Sequence, residues 1–304
     1  MPLSRRDILV GAPGLAVGYL TAQVLGEPSE PVARQDRTRL AHLTDVHMEP
    51  GSMPEKRFAE ALEHAQDQGA DLIVNGGDAI MDALVTERKV VDMCWSTYHR
   101  IVKQHNSLPL LNVLGNHDVF GWGTDDRRPE AKAETLERIG MQSAHYSREI
   151  GGWKIIVLDS IGWAPERPRG YTALLGQEQI DWLRAELEAT NLPAMIISHI
   201  PILSACAYFD GPNEKSGDWN VPGEWMHLDA RSLQRLFSQH PNVKLCLSGH
   251  IHLVDSLRFA DVEYFCNGAV SGYYWKGDYL GFGPAYALVD LYPDGSYQHQ
   301  MVYY

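Results

Sequence analysis

The chain has 304 residues, of which 44% are hydrophobic and 21% charged, a balance that excludes a disordered polymer. Lys and Arg number 26 against 39 Asp and Glu, a formal charge of −13, which argues against binding nucleic acid polymers or anionic lipid. A small anionic substrate stays compatible with that charge, because a few bound cations invert the local field.

The N-terminus carries Ser4-Arg5-Arg6-Asp7-Ile8-Leu9, then an apolar, Gly-rich run to about Gly26. A basic start before an apolar run has the order of a secretory signal, and the segment resembles the twin-arginine export motif. Gly11, Pro13, Gly14 and Gly18 make the run a poor membrane-spanning helix. The expectation is an export signal over 1–26, a polar linker over 27–37 and a single domain over 38–304. The twin-arginine translocase is then a partner, and the destination is the periplasm or the exterior. That route, by the resemblance, carries proteins already folded, so the four cysteines are expected mostly as buried free thiols. They show no CxxC spacing. Cys246 and Cys266 fall on neighbouring predicted strands and are the best candidates for a bridge.

From residue 38 onward, short apolar runs alternate with amphipathic segments. Residues 40–43 predict a strand, 54–68 a helix, 72–74 a strand and 84–104 a helix. Strands are predicted again at 108–114, 155–158, 194–197 and 243–247, with helices at 130–139, 176–189 and 229–239. This alternation implies an α/β fold with partly parallel pairing. Residues 253–259, 262–267, 285–291 and 297–303 read as successive strands with tight turns, suggesting antiparallel pairing in a second sheet.

The residues that follow each apolar run carry the chemistry. The first run leads into Thr44-Asp45-Val46-His47, the next into Asn75-Gly76-Gly77-Asp78, and the third into Gly115-Asn116-His117-Asp118. Two later runs lead into Ser198-His199 and Ser248-Gly249-His250-Ile251-His252. In open α/β sheets, ligands gather outside the carboxyl ends of the strands. Imidazole and carboxylate donors suit zinc, iron and manganese. Asp45, His47, Asp78, Asn116, His199, His250 and His252 are too many donors for one tetrahedral ion and suit two ions sharing a carboxylate. In an extended chain, side chains two apart share a side, so Asp45/His47 and His250/His252 could each aim two groups inward. Gly76, Gly77, Gly115 and Gly249 leave backbone room beside them.

Asp-x-His, Gly-Asp, Gly-Asn-His-Asp, a lone His after a strand and Gly-His-x-His, in that order from about residue 39 to 267, resemble the calcineurin-like metallophosphoesterase family. The resemblance implies a four-layer α-β-β-α sandwich with two mixed β-sheets. It assigns Asp45, His47 and His252 to one metal, Asn116, His199 and His250 to the other, and makes Asp78 the bridge. It implies two divalent or trivalent ions (Fe, Mn or Zn) and a metal-bridging hydroxide as nucleophile. His117 is the implied catalytic acid, Asn116 and His117 contact substrate, and Asp118 supports the loop. Many relatives carry an Asp three residues after the bridging one to orient the catalytic His; here Met81 stands there, with Asp82 one further on. Purple acid phosphatases carry a Tyr at that place, and His47 replaces the third residue of their first motif, so that branch is set aside.

The implied function is hydrolysis of a small-molecule phosphate ester. Gly268-Ala-Val-Ser-Gly272 leans the resemblance towards the cyclic-nucleotide phosphodiesterase-like branch. Phosphomonoesterase or nucleotidase activity is the alternative, and a non-catalytic metal-binding protein the third reading. Loops 204–227 and 271–282 are candidate pocket walls, the second rich in aromatic residues. His42, sitting within a strand, needs no special role.

Overall fold

Leu40 and Ala41 are neighbours in the chain but belong to different cores. They lie on β1 (Thr38–Leu43), where successive side chains face opposite sides. The computed structural model describes residues 37–304 apart from 126, 210 and 216, so the expected export signal and nearly all of the linker lie outside the described residues. After β1 come α1 (Ser52–Asp67), β2 (Leu72–Asn75), α2 (Arg88–His105), β3 (Leu110–Asn112) and α3 (Ala131–Ile139). Then follow β4 (Tyr146–Ile150), β5 (Trp153–Leu158), β6 (Ile161–Trp163), β7 (Tyr171–Ala173), α4 (Gly176–Glu188) and β8 (Ala194–Ser198). A small hairpin, β9 (Glu214–Lys215) and β10 (Asp218–Trp219), precedes α5 (Ala230–Gln239) and β11 (Val243–Ser248). The chain ends with β12 (Val254–Phe259), β13 (Val262–Asn267), β14 (Ala285–Leu291) and β15 (Tyr297–Tyr303).

Two large sheets result, ordered β15-β14-β1-β2-β3 and β12-β13-β11-β8-β5-β4. Both are mixed: β1 pairs parallel with β2 and antiparallel with β14, while β11 pairs parallel with β8 and β13, and β4 antiparallel with β5. Alternation along the strands sorts the side chains into layers. Leu40, Leu72 and Val74 of the first sheet meet Ile155, Val157, Met195, Ile197, Leu245 and Leu247 of the second in one buried cluster between the sheets. Ala41, Leu43 and Ile73 face the other way, towards Phe58 and Leu62 of α1 and Val91 and Trp95 of α2. On the far side, Ile156, Leu158 and Ile196 cover Leu183 of α4 and Leu233, Leu236 and Phe237 of α5. The layers are therefore helix, sheet, sheet, helix, the expected sandwich. Among the described residues, no helix is long and apolar enough to cross a membrane.

Three expectations change. The last four strands do pair antiparallel, but β12–β13 extend the second sheet while β14–β15 complete the first. The helix expected from residue 84 begins at Arg88, because the Asp82 carboxylate accepts the Leu84 N–H at 2.8 Å and holds those residues in a turn. The edge strand β4 and the short β6–β7 pair carry no long apolar run and were not anticipated. The four cysteines are free, three of them buried, as expected. The candidate pair Cys246 and Cys266 does not form a bridge: the register sets Cys246 opposite Tyr264 and Cys266 opposite Ser248.

Candidate dinuclear metal site

The five polar segments leave the carboxyl ends of β1, β2, β3, β8 and β11, three strands from one sheet and two from the other. Two groups of candidate ligands form where they meet. Asp45, His47 and His252 present ligand atoms within 4.8 Å of one another, as do Asp78, His199 and His250. Asp78 Oδ2 lies 3.3 Å from His199 Nε2 and 3.7 Å from His47 Nε2, so one oxygen faces both groups. Asn116 Oδ1 lies 3.2 Å from His199 Nε2. All seven predicted ligands converge.

The hydrogen bonds around the imidazoles fix which nitrogens face inward. His47 Nδ1 lies 3.2 Å from the Met81 carbonyl, His252 Nδ1 lies 2.6 Å from that of Gly272, and His199 Nδ1 lies 2.9 Å from that of Gly76. A carbonyl only accepts, so each Nδ1 carries a proton, and in the neutral imidazole each Nε2 then presents a lone pair inward. The Nε2 atoms of His47 and His252 are then two lone pairs facing each other at 3.0 Å in a buried site. His199 Nε2 faces both Asn116 Oδ1 (3.2 Å) and Asp78 Oδ2 (3.3 Å); the carboxylates of Asp78 and Asp45 outweigh burial and raise its pKa to about 9, so a proton fills the place where a cation would sit. Asp45 Oδ2 accepts from Thr44 Oγ1 (2.6 Å) and the His250 N–H (2.8 Å), whereas the buried Asp45 Oδ1 and His250 Nδ1 have no hydrogen-bond partner. Buried acceptors left facing acceptors are costly without a positive charge between them. The donor set fits two cations.

Burial and charge act accordingly on the ionisable groups. Burial disfavours the carboxylates of Asp45 and Asp78, but the surrounding histidines more than offset it and both are held well below the usual range. His250 is pushed down to about 3, chiefly by burial.

The backbone at the ligands departs from the expectation. Asp45, His47, Asp78, His250 and His252 have φ of 56°, 47°, 53°, 73° and 56°, all in the left-handed region. The pairs two residues apart do reach the site, but through kinked loops rather than extended-strand alternation. Asp45 and His47 join the same group, while His250 and His252 part to different ones. Each such non-glycine residue costs on the order of 1 kcal/mol or more, strain typical of functional sites. The glycines beside them permit the approach: a Cβ on Gly115 would lie 2.0 Å from the Asp78 nitrogen, and one on Gly249 2.2 Å from Asp45 Oδ2.

Asp118 is the clip of the site. Its carboxylate accepts N–H bonds from Asp78, Ala79 and Gly115 at 3.1, 2.9 and 2.9 Å, joining the loop after β2 to the loop after β3. His117 N–H donates to Asp78 Oδ1 at 2.7 Å, and the His117 ring lines a pocket of about 360 Å³ with Asn116 and His250. Its Nδ1 lies 3.2 Å from Asp82 Oδ1, so Asp82 takes the orienting place that Met81 cannot fill.

The 271–282 loop proves to be part of the scaffold. Trp275 Nε1–H donates to the His47 carbonyl at 3.0 Å, and Ser271 Oγ donates to that of Asp45 at 2.8 Å. The Tyr274 ring lies over His47 and His252, with centroids 4.6 and 4.8 Å apart. Aromatic composition marked this loop in the sequence, but not its grip on the ligands. From the 204–227 loop, Glu224 and Trp225 reach the pocket, joined by Pro168, Arg169 and Tyr171, which carried no sequence signal. His42 stays outside the site, with Nδ1 3.0 Å from the Asn267 amide nitrogen in a buried polar contact.

The profile of the calcineurin-like phosphoesterase family matches residues 38–254. The chain belongs to that family and is a hydrolase acting on phosphoester bonds. It is 24% identical over 279 residues to a protein of Nostoc sp. named as a 3',5'-cyclic-nucleotide phosphodiesterase, covering 85% of this chain and 89% of that one. Its fold is similar to a dimetal phosphatase from Danio rerio (TM-score 0.61, 13% identity, 88% of this chain and 99% of that one). It is also similar to a purple acid phosphatase from yellow lupin seeds (TM-score 0.55, 12% identity, 88% and 52% covered), a likeness of fold alone.

Proposed function

We propose that the protein is a dinuclear-metal phosphodiesterase of small phosphate diesters. Asp45, His47 and His252 would hold one cation, Asn116, His199 and His250 the other, with Asp78 shared. The observation that carries this reading is the convergence of two ligand groups on either side of Asp78 Oδ2, with the Nε2 atoms of His47 and His252 facing each other at 3.0 Å. Iron, manganese or zinc suits these donors. When bound, such a pair supplies Lewis acidity and lowers the pKa of water.

The chain's own residues supply the rest. Asn116 and His117 hold the phosphoryl oxygens, and His117 protonates the leaving alcohol. Burial lowers the proton affinity of His117, but the carboxylates of Asp78 and Asp82 outweigh it and raise the pKa, which keeps a proton at hand. Asp82 fixes the ring through Nδ1, leaving Nε2 for the leaving oxygen. The diester preference is supported by the Nostoc relative, which spans most of the chain.

Turnover of bis(p-nitrophenyl) phosphate and p-nitrophenyl phosphate by metal-loaded protein tests the reading. The diester is expected to be the better substrate by kcat/KM. A better monoester would make the protein a phosphomonoesterase or nucleotidase. Two bound metals with neither ester turned over would make it a binding protein. Export through the twin-arginine translocase is supported by Arg5-Arg6 and the apolar run behind them. Replacing both arginines by lysine is expected to leave the protein in the cytoplasmic fraction.

A further inference from the structure

Ser198, His227 and Asp229 form a hydrogen-bonded row that the proposed reaction does not use. Ser198 Oγ lies 2.9 Å from His227 Nε2, and His227 Nδ1 lies 3.1 Å from Asp229 Oδ1. These are the residue types and the order of a nucleophilic serine site. Burial rules out that role: Ser198 is 2% and His227 3% exposed, so a substrate has no approach to the hydroxyl. What the row does hold is the exit of β8, whose last residue is Ser198.

Each member is anchored in the chain. Asp229 Oδ2 accepts the Leu175 N–H at 2.9 Å, just ahead of α4. Burial alone would raise the Asp229 pKa, but the hydrogen bonds and charge from His227 and the Leu175 N–H outweigh it and lower it. A carboxylate only accepts, so His227 Nδ1 carries a proton, and in the neutral ring Nε2 accepts from Ser198. The single hydroxyl proton of Ser198 is shared with the Ile200 carbonyl, 2.8 Å from Oγ. His227 N–H donates to the Pro201 carbonyl at 3.0 Å, so the ring and backbone of one residue grip both 198 and 201. Ile200 N–H in turn donates to Ser160 Oγ at 3.1 Å. His227 closes the 204–227 loop, whose Glu224 and Trp225 line the pocket.

His199 stands inside that grip. Its Nδ1 bond to the Gly76 carbonyl sets the rotation of the ring. Where Nε2 then ends depends on the backbone at 199, and the row fixes that backbone. His199 belongs with Asp78 and His250, beside Asn116. The other group is held from elsewhere: Asp45 by Ser271, His47 by Trp275, His252 by the Gly272 carbonyl.

We infer that His227 is a positioning residue for the group of Asn116, His199 and His250: through Ser198 it sets where His199 presents Nε2. This rests on the dinuclear reading and adds to it a residue outside the ligand set. Loss of the imidazole should weaken the cation at that group and spare the one at Asp45, His47 and His252.

Equilibrium dialysis of the metal-free full chain against Mn²⁺, read by mass-spectrometric metal content, tests this. Fewer than two ions on the unmutated chain would sink the dinuclear reading itself, and the inference with it. With two ions bound, His227→Ala is expected to weaken one Kd about tenfold or more and the other less than about threefold. Ser198→Ala removes only the hydroxyl and should act on the same Kd, so it decides the matter where His227→Ala does not fold. Two amides separate positioning from bulk. His227→Gln reaches Ser198 with an acceptor and should bring the weakened Kd back to within about threefold of the unmutated chain, whereas His227→Asn reaches only towards Asp229 and should not. The losses of His227→Ala and Ser198→Ala should not add in the double variant. Both Kd values weakened alike, neither weakened, or Asn rescuing as well as Gln overturns the inference.

Discussion

His117 and Asp82 are joined side chain to side chain, Nδ1 to Oδ1 at 3.2 Å, and their stretches are joined again by the Ala83 N–H donating to the His117 carbonyl at 2.7 Å. A positioning residue that acts through the imidazole should change the chemical step more than binding. Asp82→Asn is expected to lower kcat roughly tenfold with KM unchanged and two metals retained. His117→Ala should lower kcat about 10²-fold to 10⁴-fold. Equal losses of Tm and kcat in Asp82→Asn, with KM rising, would assign Asp82 a structural role instead.

Asp78 is the shared oxygen donor between the two ligand groups. Asp78→Ala is expected to empty both sites, whereas His250→Ala should retain roughly one cation per chain. Mass-spectrometric metal content of the purified variants decides between them. Two metals retained in Asp78→Ala would end the bridging assignment. Chelation of the unmutated protein should also lower Tm, because a cation at a hundred times its Kd stabilises by about 2.7 kcal/mol.

Trp275 supports the site from behind through its indole N–H on the His47 carbonyl. Trp275→Phe keeps a ring but removes that donor, leaving a buried carbonyl unpaired. The expected cost is about 1 to 2 kcal/mol, measured by urea unfolding, together with weaker metal binding. Unchanged metal affinity would separate the loop from the ligands.

Asp290 on β14 accepts from both Arg37 and Arg39, the latter through two hydrogen bonds of 2.6 and 2.7 Å. Burial alone would raise its pKa, but the arginines outweigh that and hold it below 3.8. The bound carboxylate therefore stabilises the fold above about pH 4, and this contribution fades as pH falls through the lower, folded-state pKa. Asp290→Asn is expected to cost about 1 kcal/mol at pH 7. The difference between the two proteins should shrink as pH falls through the lowered, folded-state pKa of Asp290. A constant difference across that range would contradict the ion-pair account.

Much of the fold was legible because burial on both faces leaves a plain mark. The 155–158 and 194–197 runs are apolar throughout, as strands between two layers must be. Tyr146–Ile150 left no such mark, since an edge strand needs only half its side chains covered. The split of the last four strands was hidden for another reason: local pattern gives pairing but not which sheet receives the pair. In the site, the ligands were legible as chemical types at strand ends. Their backbone was not, because nothing in Asp-x-His distinguishes an extended chain from a left-handed turn. Trp275 acts through a contact distant in sequence, and a solitary tryptophan carries no spacing to read.

The two ligand groups draw on three strand ends of one sheet and two of the other. A cation pair seated there would rivet the sheets at their open rim, while the dry seam of Leu40, Val74, Ile197 and Leu247 holds them further down. Chelation should then unzip the molecule from that rim inward, so the first peptide bonds laid open to a protease would be those of the catalytic loops themselves.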